Sequence, residues 1–393
     1  MRIMKTTKYL AAAATLGLVL TACGGPDGAG SSDEITIGVI ADQSGATADV
    51  GAPFSEGVAA YVEWRNANGG VADMQINAMI NDYAYEVPQA EELYKQYVSE
   101  GAVAILGWGT GDTEALTGSV ANDELPFMSG SFAEILADPE QSPYNFLVAP
   151  TYSDQMRVAL DHIAAEGGES VAVLHHDSPF GTAPVADGEA WVEEKGYDLD
   201  YTAHAIPSGT TSFTGLLSQV SDADHIIVQN VAGPAAQLAR DIQGQNTGQT
   251  IVCLNWCSSE LFITNAGDAA EDHKMIQPVA PLSADKPGHA DIVSYLEENG
   301  GDPESTVVSY VQGWFTMDAM VSGIEATLEG GGDLTGAAIR ETLETMGPID
   351  TGGVVGTGEI EFSADSHRGA TASGIYVVED GTMVEIESGV SPA

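Results

Sequence analysis

Basic residues are what this chain has least of. Twelve lysines and arginines stand against 58 aspartates and glutamates in 393 residues, a formal net charge of −46. A field of that sign repels nucleic acid and anionic lipid surfaces, so neither is expected as a partner. Cysteine is almost missing, with only Cys23, Cys253 and Cys257. Two late cysteines without a histidine at ligand spacing give no zinc signature, and no metal or cofactor is expected. Beyond the N-terminus no stretch approaches 18 uninterrupted apolar residues, which excludes a later spanning helix. Disorder, the usual companion of high charge, goes with low hydrophobicity. Here 44% of residues are hydrophobic and fall in periodic runs, so the chain folds. Acid in place of surface lysine suits a protein that works in high salt, where a short Debye length screens self-repulsion. Structure is then expected to fail at low salt before it fails at high salt.

The N-terminus is the exception to the acidic rule. Arg2, Lys5 and Lys8 precede a mostly apolar stretch over 9–20, too short to span and ending at small residues, as export signals do. The run Leu20-Thr21-Ala22-Cys23-Gly24 resembles a bacterial lipobox, which implies a signal peptide over 1–22 and lipidation of Cys23. Residues 23–32 are rich in glycine and serine and are expected to be a flexible tether. Without 1–22 the chain keeps nine basic against 58 acidic residues, a net charge of −49. The expected location is extracytoplasmic, held to the cell membrane by the lipid anchor.

About 360 residues remain, more than one core usually holds, so two lobes are expected. Short β-rich runs at 34–40, 74–80, 102–106 and 126–128 alternate with helical patterns at 54–66, 88–100 and 112–123. The cycle restarts with strands at 171–174, 200–205, 225–229 and 250–254 between helices at 153–166, 184–195, 213–220 and 234–243. Apolar strands between helices of this length are the pattern of parallel α/β sheets, here two doubly wound, Rossmann-like lobes. Helical patterns at 291–299, 306–328 and 334–346 follow, then β-like runs at 358–362, 374–378 and 382–386. Cys253 and Cys257 form a disulfide if Leu254, Asn255 and Trp256 make a turn that brings the Cα atoms within about 7 Å.

Open parallel sheets bind ligands beyond the carboxyl ends of their strands. Four sets of loop residues fall there. The first contains Asp42. The second, Gly107-Trp108-Gly109-Thr110-Gly111-Asp112-Thr113, offers backbone N–H groups and a helix N-terminus, with Asp112 as either ligand group or helix cap. It lacks the G-x-G-x-x-G spacing and any Walker lysine. The third is Ser129-Gly130-Ser131-Phe132-Ala133, whose hydroxyls suit a carboxylate or amide. The fourth joins Asp177 and Phe180, Gln229 and Asn230, and Asn255 and Trp256. Trp108 and Trp256 either clamp an apolar ligand body or pack the lobes together. Adjacent His175, His176 and Asp177 alternate across a strand and do not converge on an ion. Ser129 and Ser131 lack the G-x-S-x-G elbow of a hydrolase. Nothing here calls for catalysis, so no enzyme is expected.

The stretches ITIGVIADQSGATADVGAPFSEGVAAYVEWRNANGGV, AVAILGWGTGDTEAL, LPFMSGSFAEIL, SVAVLHHDSPFGTAPV and GEIEFSADSHRGA resemble, in order and spacing, type I periplasmic binding proteins of the leucine/isoleucine/valine and amide class. The resemblance spans 34–387. It implies a clamshell with three crossovers, one lobe from 33–150 and 280–361, the other from 151–279 and 362–388. It also implies a monomer that captures a small-molecule ligand and delivers it to ABC permease subunits. A sensory receptor reporting to a membrane partner is the alternative. By position, Thr110 and Gly111 with Ser131, Phe132 and Ala133 would hold an α-carboxylate, and Phe180 would be the aromatic of the second lobe. The family's acidic partner for an ammonium falls on Asn255 or Trp256, so Asp42, Asp112 or Asp177 would have to replace it. Amino acids and short amides are therefore both expected ligands.

Overall fold

The computed structural model describes residues 34–207 and 209–393; the lipobox, Cys23 and the tether lie outside the described residues. β1 (Glu34–Ala41), β2 (Gln75–Asp82), β3 (Ala104–Gly107), β4 (Phe127–Ser129) and β5 (Asn145–Phe146) form one sheet in the order β2-β1-β3-β4-β5. All its pairings are parallel, and β1 buries Ile35, Ile37, Val39 and Ile40 because helices cover both of its faces. Its helices are α1 (Ala48–Ala67), α2 (Val87–Ser99) and α3 (Thr110–Asp123).

After α4 (Tyr152–Ala165) comes the second sheet, built from β6 (Ser170–His176), β7 (Asp200–Ile206), β8 (His225–Gln229), β9 (Thr250–Cys253) and β10 (Lys274–Gln277). Between these strands run α5 (Pro179–Thr182), α6 (Val185–Lys195), α7 (Thr214–Gln219), α8 (Ala232–Gln245) and α9 (Glu260–Ala266). The chain then leaves for α10 (Ala290–Glu298), α11 (Val308–Glu329) and α12 (Gly336–Leu343). α11 packs along α1. The two helices touch backbone to backbone, since a Cβ at Gly57 would strike the Tyr310 carbonyl and one at Gly313 the Phe54 carbonyl. A small ribbon of β11 (Ile349–Asp350) and β12 (Glu359–Ile360) precedes β13 (Ser373–Glu379) and β14 (Thr382–Val390). These last two close the second sheet as antiparallel edge strands, order β14-β13-β10-β9-β8-β6-β7. The chain thus passes between the sheets three times.

The differences from the sequence expectations have local causes. α1 begins at Ala48 rather than at 54, because Gly51 and Pro53 read as breakers while burial of Val50 and Phe54 holds the helix together. The run expected over 358–362 pairs only at Glu359–Ile360. β5, α9 and β10 are two, seven and four residues long, too short for a periodic signal. Cys253 and Cys257 are joined as a disulfide with Cα atoms 5.3 Å apart, across a turn in which Cys257 N–H donates to the Leu254 carbonyl at 3.0 Å. Where the chain first crosses, Arg368 lies 3.0 Å from Asp154 and also pairs with Glu134, while Arg157 meets Asp154 at 3.2 Å. No helix among the described residues is long and apolar enough to cross a membrane.

Candidate ligand-binding cleft

Loops at the carboxyl ends of both sheets meet around one cavity. The first sheet's side supplies Thr47, Tyr85, Trp108, Gly109, Thr110 and Gly130; α4 supplies Tyr152; the second supplies Phe180, Val231 and Trp256. Its free space is about 10 Å³, near what a single water requires. An amino acid enters only if the walls part.

Aromatic rings make most of those walls. Trp108 and Trp256, one from each sheet, meet with centroids 4.6 Å apart, so they touch each other rather than flank an open slot. Phe132 stacks nearly parallel behind Trp256, at 5° and 6.0 Å. Each indole N–H is satisfied: Trp108 donates to Thr47 Oγ1 at 2.8 Å, and Trp256 to Tyr152 Oη at 2.9 Å and the Gly130 carbonyl at 3.1 Å. The cage can therefore be buried without stranding a donor.

The polar corner lies at the start of α3. Thr110 Oγ1 and Ser131 Oγ share a hydrogen bond of 2.7 Å, and both residues are buried. A ligand head group that replaces this mutual bond finds two hydroxyls able to donate or accept. The glycine loop before α3 does not present an open anion site. Asp112 occupies it, turned toward the N–H groups of Trp108, Gly109 and its own residue.

The three acids weighed as ammonium partners differ sharply. Asp42 is fully buried and already accepts from Gly45 N–H at 2.6 Å, Thr47 N–H at 3.0 Å and Thr47 Oγ1 at 2.6 Å. It folds its own loop. Asp177 is exposed and lines no part of the cavity. Asp112 is buried directly behind Gly109 and accepts from Tyr83 Oη at 2.7 Å, leaving Oδ2 unpartnered by geometry. Burial pushes its pKa up to about 7 against the pull of the Tyr83 hydroxyl and the nearby N–H groups.

Of the residues expected at the site, Trp108, Thr110, Phe180 and Trp256 face the cavity, and Ser131 is bound to Thr110. Gly111 lies outside the lining, 3.6 Å from Pro179 and Val87 at its Cβ position. Ser129 closes its own turn by accepting from Ser131 N–H at 3.2 Å, and Ala133 begins a short 3₁₀ turn. Gln229 donates to the Phe180 carbonyl at 3.0 Å, and Asn230 accepts from Val231 N–H at 2.8 Å. Asn255 is tied to Gln312 at 2.6 Å and, through its N–H, to Gln155 at 3.0 Å. These amides brace the loops from behind. Thr47, Tyr85 and Tyr152 line the cavity without having been expected there. Thr47 sits five residues past Asp42, the one residue expected from the first loop, and Tyr85 follows a strand whose loop carries no glycine.

A model of the periplasmic binding protein family matches residues 34–382. A Leu/Ile/Val-binding protein homolog from Brucella abortus is 21% identical over 341 residues, 86% of this chain and 88% of that protein. A branched-chain amino acid ABC transporter protein from Thermus thermophilus, solved with bound valine, superposes with a TM-score of 0.86 at 25% identity, covering 90% of this chain and 96% of that one. A fatty acid ABC transporter substrate-binding protein from Thermomonospora curvata superposes at 0.79 with 22% identity, covering 90% and 92%. The last likeness is one of fold.

Proposed function

The chain belongs to the periplasmic binding protein family, and on that premise we propose that it is an extracytoplasmic solute-binding protein of an ABC transporter. Its ligand is a small amphipathic solute, a branched-chain or other amino acid or a short amide. The observation that carries this is the pairing of the Thr110–Ser131 hydroxyls with an aromatic cage between two sheets. Hydroxyls take a polar head; Trp108, Trp256 and Phe180 cover an apolar body. The valine bound by the Thermus thermophilus relative supports the amino-acid end of that range. Asp112, which lies behind Gly109 rather than in the cavity lining and has Oδ2 without a hydrogen bond, is the acid we assign to an ammonium.

The lobes we assign are 33–150 with 280–361, and 151–279 with 362–388. Capture is a hinge motion in which Trp108 and Trp256 separate, admit the ligand and close over it. Lipidated Cys23 would keep the monomer near its permease.

A thermal-shift screen of the protein, in low and high salt, tests the proposal. The panel is branched-chain and polar amino acids, short amides, urea and aromatic acids. A ligand at a hundred times its dissociation constant adds about 2.7 kcal/mol. A shift of a few degrees with L-valine or a short amide supports the proposal. No shift with any member contradicts it.

A further inference from the structure

One carboxylate joins helices from opposite sides of the cleft. Asp49 lies in the first turn of α1, two residues after the cavity residue Thr47, and its Oδ2 accepts the N–H of Gly233 in the first turn of α8 at 2.8 Å. The N–H groups of Asp49 and Val50 are turned to the same carboxylate. Neither helix has a side-chain cap of its own. At α1 the N-cap residue Thr47 has its hydroxyl bonded to Asp42, and at α8 the N-cap residue is Val231, with no acid in the first turn. Two helix N-termini without side-chain caps, each with a partial positive charge, therefore face one carboxylate that is itself solvent-exposed. Without it they repel each other and the Gly233 N–H loses its partner, while the Val50 N–H keeps its bond to the Thr47 carbonyl at 3.2 Å.

We propose that Asp49 is a positioning residue for ligand capture, its carboxylate clasping α1 to α8 and holding the cleft closed. The inference rests on the cleft being the ligand site. α1 follows the first sheet's β1, and α8 follows the second sheet's β8. Opening of the walls draws the two N-termini apart and breaks this bond, whereas the bonds of Asp42 lie within one loop and survive. Asp49 touches no ligand; it acts on the open–closed balance and so on how long a ligand stays.

The test compares the protein with its Asp49→Ala and Asp49→Asn variants, by small-angle X-ray scattering without added solute and by stopped-flow dissociation of L-valine. Asp49→Ala is expected to scatter with a larger radius of gyration than the unsubstituted protein and to release L-valine about tenfold faster, with little change in association rate. Asp49→Asn keeps size and one acceptor oxygen, and is expected to fall between the two. A merely structural role would lower the melting temperature without changing the scattering of the folded protein. Superimposable scattering profiles of the folded proteins overturn the clasp. If the unsubstituted protein binds no L-valine, that counts against the amino-acid function, and the scattering comparison still decides the clasp.

Discussion

The two walls of the cleft are built from the same kind of loop and present different chemistry. The first sheet's side presents the Thr110 hydroxyl and, behind it, that of Ser131, with the Asp112 carboxylate close beneath, while the Thr47 hydroxyl is held by Asp42 and Trp108. The second side presents Phe180, Val231 and Trp256, and its polar residues Gln229, Asn230 and Asn255 are spent on bracing backbone and amides behind the surface. On the proposed reading, the first wall selects a head group and the second covers it. Substitutions on the first should change which solute binds, and on the second how firmly it is held.

Trp256→Ala strikes this division hardest. It removes the contact with Trp108, the stack on Phe132 and the donor to Tyr152 and Gly130, and should cost about 3–5 kcal/mol of stability in urea unfolding. A loss under 1 kcal/mol would mean the second wall is not the cover described.

Asp112 sharpens the first wall through pH. Its carboxyl pKa is raised from 3.8 to about 7, so between those values the folded state holds a proton that the unfolded chain has released. Stability from this group therefore falls as pH rises from about 4 to 7, and the full cost is present above 7. Asp112→Asn should flatten that slope and gain stability relative to wild type, most at pH 8, by up to a few kcal/mol. Parallel stability curves for the two proteins would contradict this.

Two smaller effects separate the walls further. Reduction of Cys253–Cys257, which closes the short loop that carries Trp256, should lower stability by about 2 kcal/mol and weaken binding of all solutes alike. Thr110→Val strands the buried Ser131 hydroxyl at a cost of about 1 kcal/mol, and should alter the order of preference among amino acids and amides. Calorimetric titrations of both proteins against the same panel check the contrast.

How far the sequence carried this account depended on length and on who answers each polar atom. Long periodic segments such as α11 and the runs EITIGVI and HIIVQ were legible because burial imposes a period on them. So was the pairing of glycine-rich and serine-bearing loops at strand ends. The fine division among candidates was not. Asp42, Asp112 and Asp177 look alike in a string of letters. Their difference lies in Thr47 and Gly45 closing on the first, Tyr83 reaching the second from 29 residues away, and solvent around the third. Tyr85 and Tyr152 were missed for the same reason, since only the fold brings their elements to the cleft. β5 and β10 form because neighbouring strands offer edges, not because their own residues insist on it.

Calorimetric titration with a matched set of solutes separates a polar head read by one wall from an apolar body covered by the other. L-valine carries both parts, isobutylamine lacks the carboxylate, and glycine lacks the apolar body. Binding of L-valine with a negative heat-capacity change, and at least tenfold weaker binding of both truncated solutes, is the predicted result. Equal affinity for L-valine and isobutylamine, or for L-valine and glycine, would contradict it.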